Sequence, residues 1–361
     1  VEAISVRVLD SNKSVQFITN RGIIKKSTLD KFQTNYSKIQ AIKLKENEFV
    51  LDIEILDNNE EKEFLKVETK LGLKFSLELP KIEDTPRNIL GTQLFNLIES
   101  DEIIKVEYLN EFEFMTFSVG VTAKGSLKGF ARAKASDRLK VNTDSISTLL
   151  LFTNKGNVYK IPSFLISNVV KEEISLENII DGYSKNEKII DVHSIKNFDE
   201  RNMVYFFTKK GMIKKTSLKE YDGNYSIWQA YKFKYENDEV ISVCIEDYSE
   251  REVLIISKKG MAIRFLSDNV NPMGRIAAGV TGISLKEDDE VIYGKIIDIT
   301  SNNSDEIAVD TSRSFEVVLI TSSKEKKTIS TEEIRIQNRA GRGTNVMVIS
   351  LDDEITEVQF S

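Results

Sequence analysis

The chain has 361 residues, of which 40% are hydrophobic and 30% are charged, and only four are prolines. This composition is typical of a folded globular protein with a sizeable core, and it excludes intrinsic disorder. The sequence has no apolar run long enough for a membrane span and no signal-peptide pattern at its start, so we expect a cytoplasmic protein. The formal net charge of -7 argues against a polyanionic partner unless the charges are segregated.

A hairpin pattern recurs along the chain. An alternating apolar strand is followed by Thr or Ser, two further residues, Gly, and then Lys or Arg. Each copy predicts a β-hairpin, because the Gly supplies a positive φ between two strands of high β propensity. The copies predict a single domain over residues 1–361, built from repeats at about 15–57, 65–109, 117–148, 149–195, 204–247, 253–298 and 317–360.

The spacing of the turn glycines indicates the size of one repeat. Most successive turn glycines lie about 50 residues apart, which suits a propeller-like ring of four-stranded antiparallel blades and an all-β fold. The interval from Gly125 to Gly156 is too short for a whole blade. The last copy, Leu319–Lys327, has lost its Gly but has kept its cations.

Each repeat also contains an acidic turn between two apolar strands, as in Phe233–Ile241 and Ile283–Ile292. Equivalent turns of a ring of blades lie on the same face, so we expect the basic turns on one face and the acidic turns on another. A Lys beside a single hairpin turn could equally be a solubilising edge charge. The cations of the predicted basic rim are Arg21, Lys25, Lys26, Lys70, Lys74, Lys124, Lys128, Lys155, Lys160, Lys209, Lys210, Lys214, Lys215, Lys258, Lys259, Arg264, Lys326 and Lys327.

A curved row of cations would contact successive phosphates of double-stranded DNA without reading its sequence. We therefore predict a DNA-binding and DNA-bending domain, with Arg275, Arg339 and Arg342 as further DNA-binding residues. The alternative is a β-propeller that serves as a protein-interaction scaffold through its acidic turns or aromatic loops. Aromatic residues accompany the cations and could stack on bases, although packing between sheets is the more common role. They are Phe32, Tyr36, Phe130, Tyr159, Tyr221, Tyr225 and Trp228.

Three stretches resemble a known family. They are Phe207–Tyr221, Phe265–Leu285 and Leu149–Pro162, and together they are similar to the C-terminal β-pinwheel of the A subunits of DNA gyrase and topoisomerase IV. The resemblance implies a six-bladed pinwheel, with strands exchanged between blades, that wraps or guides the transported DNA segment. It also implies two protein partners, which are the ATPase B subunit and the N-terminal breakage-reunion region of the same subunit.

The chain departs from the gyrase pattern at one motif. Gyrase A subunits carry a Gln-Arg-Arg-Gly-Gly-Lys-Gly box in the first blade, and no such box occurs in residues 130–138 of this chain. The nearest match, Gln337–Gly343, is either a degenerate box or an ordinary Gly-rich basic loop. Both a gyrase-like and a topoisomerase IV-like role remain open.

The sequence offers no catalytic constellation. His193 lies in a strand-like run without a second His or a Cys nearby, and Cys244 is the only cysteine, so we expect structural roles for both and no metal. The Gly-Lys turns lack the spacing of a phosphate-binding P-loop, so we expect no cofactor. The pair Asp288-Asp289 is typical of a solvated turn. The family's DNA-cleaving Tyr belongs to the N-terminal region, so the resemblance implies that this chain alone is no enzyme.

Overall fold

The computed structural model describes residues 10–57, 60–112, 114–129, 139–170, 173–247, 251–298 and 315–360. Phe130 and the stretch 130–138, discussed above, lie outside these residues. The described chain contains β-strands and short 3-10 helices but no α-helix, so the predicted all-β class is confirmed. No described helix is long and apolar enough to cross a membrane. The 3-10 helices are Leu29–Phe32, Ser163–Val170, Leu176–Asn178, Leu218–Tyr221, Ser267–Asn269 and Thr331–Glu333.

The hairpin turns explain why the repeat requires Thr or Ser followed by Gly. In the fifth repeat the Thr208 hydroxyl accepts a 3.2 Å hydrogen bond from the backbone N–H of Met212, which closes the turn around Gly211 at φ +82°. The strand pairing shifts register between Phe207 and Thr208, a bulge that turns the chain towards the tip. A hydroxyl before the turn and a residue of positive φ within it are therefore what these turns share, and in the last copy Lys324, at φ +71°, takes the place of the glycine.

Seven hairpins are present, one at each predicted repeat. They are β1 (Ser14–Thr19) with β2 (Ile23–Thr28), β4 (Phe64–Thr69) with β5 (Lys74–Glu78), β8 (Thr116–Val121) with β9 (Ser126–Gly129), β11 (Thr148–Thr153) with β12 (Asn157–Pro162), β15 (Asn202–Thr208) with β16 (Met212–Ser217), β19 (Arg251–Ser257) with β20 (Met261–Leu266), and β23 (Glu316–Thr321) with β24 (Lys326–Ser330). The described residues thus form seven sheets, whereas the resemblance implies six blades.

A third strand from the same repeat pairs with the first strand of each hairpin. These strands are β3 (Val50–Leu56), β7 (Ile103–Leu109), β10 (Leu139–Asp144), β14 (Ile189–Ile195), β18 (Val240–Asp247), β22 (Val291–Asp298) and β26 (Ile355–Phe360). A fourth, very short strand pairs with the second hairpin strand and comes from the following repeat, so we call it an exchange strand. The exchange strands are β6 (Thr92–Gln93), β13 (Ile174–Ser175), β17 (Ile227–Gln229), β21 (Val280–Thr281) and β25 (Thr344–Asn345).

Strand exchange also corrects the interpretation of the short interval after Gly125. The repeat with this interval has a complete sheet in the order β10-β8-β9-β13, so it is not a truncated blade. The preceding sheet, β5-β4-β7, has three strands in the described chain, because no exchange strand is described between β9 and β10.

The chain divides into two compact units. One comprises Val1–Leu150, Lys160–Lys185 and Ser194–Lys196, and the other comprises Leu151–Tyr159, Asn186–His193 and Asn197–Ser361. The second unit contains a core between the sheets of the fifth and sixth repeats, where Tyr205 and Phe207 pack with Ile255, Ile263 and Phe265. The first contains a core in which Val15 and Phe17 pack with Leu29 and Ile42. That the whole chain is one domain stays a prediction.

Candidate nucleic-acid interface

The acidic turns lie against the basic turns, so the expected separation of the two charges onto different faces is wrong. Asp238 of the acidic turn accepts a 2.8 Å hydrogen bond from the Thr208 hydroxyl and a 2.9 Å bond from the backbone N–H of Lys210. Burial raises the pKa of Asp238, while these hydrogen bonds act in the opposite direction. The carboxylate satisfies backbone donors at the hairpin tip, and this requirement brings the acidic turn to it.

Many of the predicted rim cations consequently form ion pairs. In the second unit, Glu290 lies 2.9 Å from the Lys209 ammonium and 3.4 Å from that of Lys258. Such partly exposed pairs contribute little stability, but each carboxylate reduces the positive potential offered to a polyanion. The paired cations are Lys70 with Glu102, Lys74 with Glu68, Lys128 with Glu173, Lys155 with Glu239, Lys209 and Lys210 with Glu290, and Lys258 with Glu290 and Glu354.

Five predicted rim cations are buried, so the prediction that their side chains lie on an exposed rim is wrong. They are Lys25, Lys26, Lys214, Lys215 and Arg264. All five occupy the second strand of a hairpin. The outer edge of that strand pairs with an exchange strand. Desolvation is the main cause that lowers the pKa of Lys25 to about 8 and that of Lys214 to about 7.

The side chains of the buried cations donate hydrogen bonds to backbone carbonyl oxygens of neighbouring loops. The Lys25 ammonium donates a 3.0 Å hydrogen bond to the Ala41 carbonyl oxygen, and Lys214 donates to the carbonyl oxygens of Ala230 and Arg275. Arg264 donates a 2.8 Å bond to the Thr331 carbonyl oxygen. These residues therefore position loops and do not contact a ligand themselves.

The other predicted cations are at least partly accessible. Arg21 donates to carbonyl oxygens of residues 97–101, Lys259 donates to Asp353, and Lys327 donates to Val346. Lys124, Lys326 and Arg342 are exposed, and Lys160 is half-buried. These side chains remain candidates for contact with phosphate.

A different set of segments carries Lys and Arg but contains no Asp or Glu. We call them the acid-free segments: 35–45, 85–98, 223–235, 269–286 and 334–351. Each lies between a hairpin and the following acidic turn, and four of them contain an exchange strand. Their composition was visible in the sequence as an absence of Asp and Glu, a signal that a search for basic motifs does not detect.

An arginine in three acid-free segments makes the same contact with the preceding repeat. The guanidinium Nη1 of Arg275 donates to the Gln229 carbonyl oxygen. Arg339 Nη1 donates to Thr281 over 3.2 Å, and Arg87 Nη1 donates to Gln40 over 3.3 Å. These carbonyls occupy equivalent repeat positions, so the contact recurs, once in the first unit with Arg87 and twice in the second with Arg275 and Arg339. Arg87 was not among the predicted site residues.

The predicted aromatic residues fall into two groups. Tyr159 and Tyr221 are fully buried, which confirms packing as their role, and Phe32 packs against the core of the first unit. Tyr36 and Tyr225 lie in acid-free segments with 79% and 72% of their surface exposed. Trp228 is half-buried, and the Arg275 guanidinium lies 4.6 Å from its ring centre.

The Gln337–Gly343 heptad forms a loop that leads into exchange strand β25. Arg339 is held by the carbonyl oxygens of Asn269 and Thr281, whereas Arg342 is exposed. Gly343 has φ +78°, and a Cβ there would lie 2.5 Å from the Ala262 carbonyl oxygen. The last glycine of the heptad is therefore needed for the close approach of two backbones.

The two residues considered for chemistry pack against the second unit. His193 Nε2 lies 3.4 Å from the Asp191 carboxylate, and its ring meets that of Phe152 edge to face. Cys244 packs on the core of that unit, and burial raises the pKa of its thiol to about 12. In the part of the chain that the structure describes, no three His, Cys, Asp or Glu side chains are grouped as metal ligands.

The sequence matches the family model described as DNA gyrase C-terminal domain, beta-propeller, over residues 15–57, 147–168, 202–223, 251–298 and 327–360. The A subunit of DNA topoisomerase 4 from Bacillus subtilis is 30% identical over 88% of this chain and 38% of its own length. The A subunit of DNA gyrase from Helicobacter pylori J99 is 28% identical over 80% of this chain and 37% of its own length. The chain thus spans less than two fifths of the length of these relatives.

Two solved structures share the fold. The C-terminal domain of a DNA topoisomerase IV has a TM-score of 0.58 at 25% identity, over 70% of this chain and 79% of its own. The E. coli ParC C-terminal domain has a TM-score of 0.51 at 12% identity, over 68% of this chain and 98% of its own. The antiparallel pinwheel architecture implied by the resemblance is confirmed.

Proposed function

Because the chain belongs to the family of C-terminal domains of DNA gyrase and topoisomerase IV A subunits, we propose that it binds and bends double-stranded DNA without catalysing a reaction. The observation that carries the proposal is the run of acid-free segments, which contain Lys and Arg but no Asp or Glu. Such a surface suits a polyanion whose phosphates are contacted regardless of sequence.

The arginines of these segments are arranged for repeated phosphate contacts. Each guanidinium carries five N–H donors, and a bond to a carbonyl oxygen fixes its position while other donors can engage a phosphate. The release of counterions would supply most of the affinity. Because bending a duplex costs on the order of several kcal/mol, contacts must recur along the surface, as Arg87, Arg275 and Arg339 do within their units.

The accessible cations of the basic turns add to this surface in our proposal. Lys124 and Lys326 are the strongest candidates because they are exposed. The ion-paired lysines can reach phosphate by exchanging a carboxylate for it, which makes their contribution smaller. The buried cations Lys25 and Lys214 contribute through the loops that they hold.

We place the domain within a larger subunit. There it would present the transported DNA segment to an N-terminal breakage-reunion region, in an assembly that includes an ATPase B subunit. The heptad Gln337–Gly343 is compatible with a gyrase-like role, since Arg342 is exposed. It is also compatible with a topoisomerase IV-like role, since Arg339 is held by carbonyl oxygens. In a cell, the site of action would be the cytoplasm, where the chromosome lies.

A protein-interaction scaffold is the second candidate function, and one observation favours it. Val348 and Leu351, beside the last acidic turn, are 87% and 97% exposed, and Leu351 replaces the Glu found at this position in other repeats, as in Glu236 and Glu287. Exposed apolar pairs of this kind can contact a protein. A double substitution of these two residues by Ser should leave DNA binding unchanged.

Salt titration of DNA binding tests the proposal. Affinity for a long duplex should fall linearly on a log-log plot, and the double variant Arg275→Gln/Arg342→Gln should reduce the slope by roughly 0.9 for each phosphate that the protein no longer neutralises. The matched control is Lys70→Gln, since Lys70 is ion-paired with Glu102. A salt-independent affinity, or no retardation of the duplex, would falsify DNA binding.

A further inference from the structure

In the part of the chain that the structure describes, the two most exposed aromatic side chains occupy equivalent positions in two repeats. Tyr36 lies in Asn35-Tyr36-Ser37, four residues before Gln40, and Tyr225 lies in Asn224-Tyr225-Ser226, four residues before Gln229. One belongs to each compact unit. A large exposed ring retained twice at one repeat position is more than the scattered surface exposure expected of any protein.

The Tyr225 ring stands on a rigid base. It meets the Trp228 ring edge to face, with centroids 5.3 Å apart and an interplanar angle of 89°. The indole N–H of Trp228 donates a 2.8 Å hydrogen bond to the Tyr225 carbonyl oxygen, and Arg275 covers the indole. A Cβ on Gly223 would lie 2.9 Å from the indole, so this loop packs tightly below the exposed ring.

A guanidinium lies beside each tyrosine loop. Arg275 donates to Gln229, and Arg87 donates to Gln40 over 3.3 Å. Each ring therefore projects from an acid-free segment with a fixed cation nearby, which would hold a phosphate next to it. Proteins that bind single-stranded nucleic acids combine cations, which contact the backbone, with aromatic side chains, on which the bases stack.

Resting on the proposed function, we propose that Tyr36 and Tyr225 contact bases of bent double-stranded DNA at a step opened by the bend. The guanidinium takes the phosphate, and the ring packs on the face of a partly unstacked base. Contact with the ring repays part of the unstacking cost, which limits the net effect on affinity. The two tyrosines thus favour the bent form of the duplex more than they favour binding itself.

Permanganate oxidation of thymines in a bound duplex tests this inference, because unstacked thymines react faster than stacked ones. The 361-residue chain should enhance thymine reactivity at discrete positions. The double variant Tyr36→Ala/Tyr225→Ala should lower that enhancement at least about fivefold, in line with the removal of one stacking interaction per site. DNA affinity at low salt should change less than the reactivity does.

Two further variants separate the possible causes. Tyr36→Phe/Tyr225→Phe should retain the enhancement, because the ring makes the contact; a decrease equal to that of the alanine variant would indicate a hydroxyl contact and overturn the inference. Phe49→Ala removes a ring that is 48% exposed beside an acidic turn and outside the acid-free segments, and it should have no effect. Retained enhancement in the alanine variant also overturns the inference, whereas a wild-type chain that does not bind DNA refutes the proposed function instead.

Discussion

The Ser257 hydroxyl donates a 2.6 Å hydrogen bond to the Asp289 carboxylate and thereby joins the basic turn of the sixth repeat to its acidic turn. The other carboxylate oxygen accepts from the backbone N–H groups of Lys259 and Glu290, and Asp289 is only 5% exposed. One side chain thus satisfies three donors that would otherwise be left without partners at the hairpin tip.

Asp289→Ala should therefore lower the free energy of unfolding by about 2 kcal/mol, since it removes charge-assisted hydrogen bonds to buried donors. The adjacent Asp288 is exposed, and Asp288→Ala should change the free energy by less than about 0.5 kcal/mol. Urea unfolding followed by circular dichroism measures both. Equal losses of stability would show that the carboxylate does not hold the turns together.

Gly279→Ala should destabilise the second unit by more than about 2 kcal/mol, because the residue has a positive φ and no room for a side chain. Gly279 has φ +74°, and a Cβ there would lie 2.5 Å from the Ile213 carbonyl oxygen. Gly274→Ala, five residues earlier, meets nothing within 4 Å and should be neutral. Thermal unfolding of the two variants compares them directly, and similar melting temperatures would contradict this prediction.

Glu290→Gln should raise DNA affinity at low salt by up to about tenfold, since it removes the ion-pair partner of Lys209 and Lys210 and one of the two partners of Lys258. Glu287→Gln removes the same charge from an exposed position of the same turn, so it controls for net charge. Fluorescence anisotropy with a labelled duplex gives both affinities. If the two variants bind equally well, the ion pairs do not restrict the lysines.

Stability should rise with pH above about 7 because of Lys214. Burial lowers the pKa of Lys214 to about 7, so between that pH and its ordinary value of 10.5 the unfolded chain binds more protons than the folded one. By linkage, each such proton contributes up to about 1.4 kcal/mol per pH unit of stability as the pH rises. Lys25, with a pKa of about 8, adds to the slope above that pH.

Lys214→Met should flatten this dependence, whereas Lys219→Met, at an exposed lysine paired with Asp222, should preserve it. Urea midpoints at about pH 7 and about pH 9 measure the slope, which lies in the window between the folded and unfolded pKa values of Lys214. An unchanged slope in Lys214→Met would show that Lys214 keeps its proton throughout this range.

The hairpins could be predicted from sequence because their requirements are local. A Thr or Ser that accepts from the N–H four residues later, and a Gly at positive φ, leave a pattern within one short window, as at Thr208 and Gly211. The exchange strands leave no such pattern, because a strand such as Thr92–Gln93 is too short for any alternation. Their position was implied only by the family resemblance.

The burial of cations depends on contacts with residues distant in the sequence, which leave no local pattern, so it could not be predicted. Lys214 and Lys327 hold the same position after the turn, and both donate to a carbonyl oxygen of their own repeat. The Lys214 ammonium lies over the rings of Phe206 and Tyr231 and also donates to the Arg275 carbonyl oxygen of the next repeat, whereas Lys327 stays exposed. Equivalent positions in two repeats thus have opposite accessibility.

Each exchange strand completes the sheet of the preceding repeat. A sheet with an exchange strand is therefore built from two consecutive sequence repeats, and its boundaries differ from those of the repeat. Removal of one whole repeat would leave the second hairpin strand of the preceding repeat, such as β16 or β20, without its exchange strand. The next repeat would then have to supply an equivalent strand. One exchange strand can replace another in this way only if the junctions between consecutive repeats are equivalent. The Arg87, Arg275 and Arg339 contacts recur at three of these junctions, so the copies that they join meet through the same geometry.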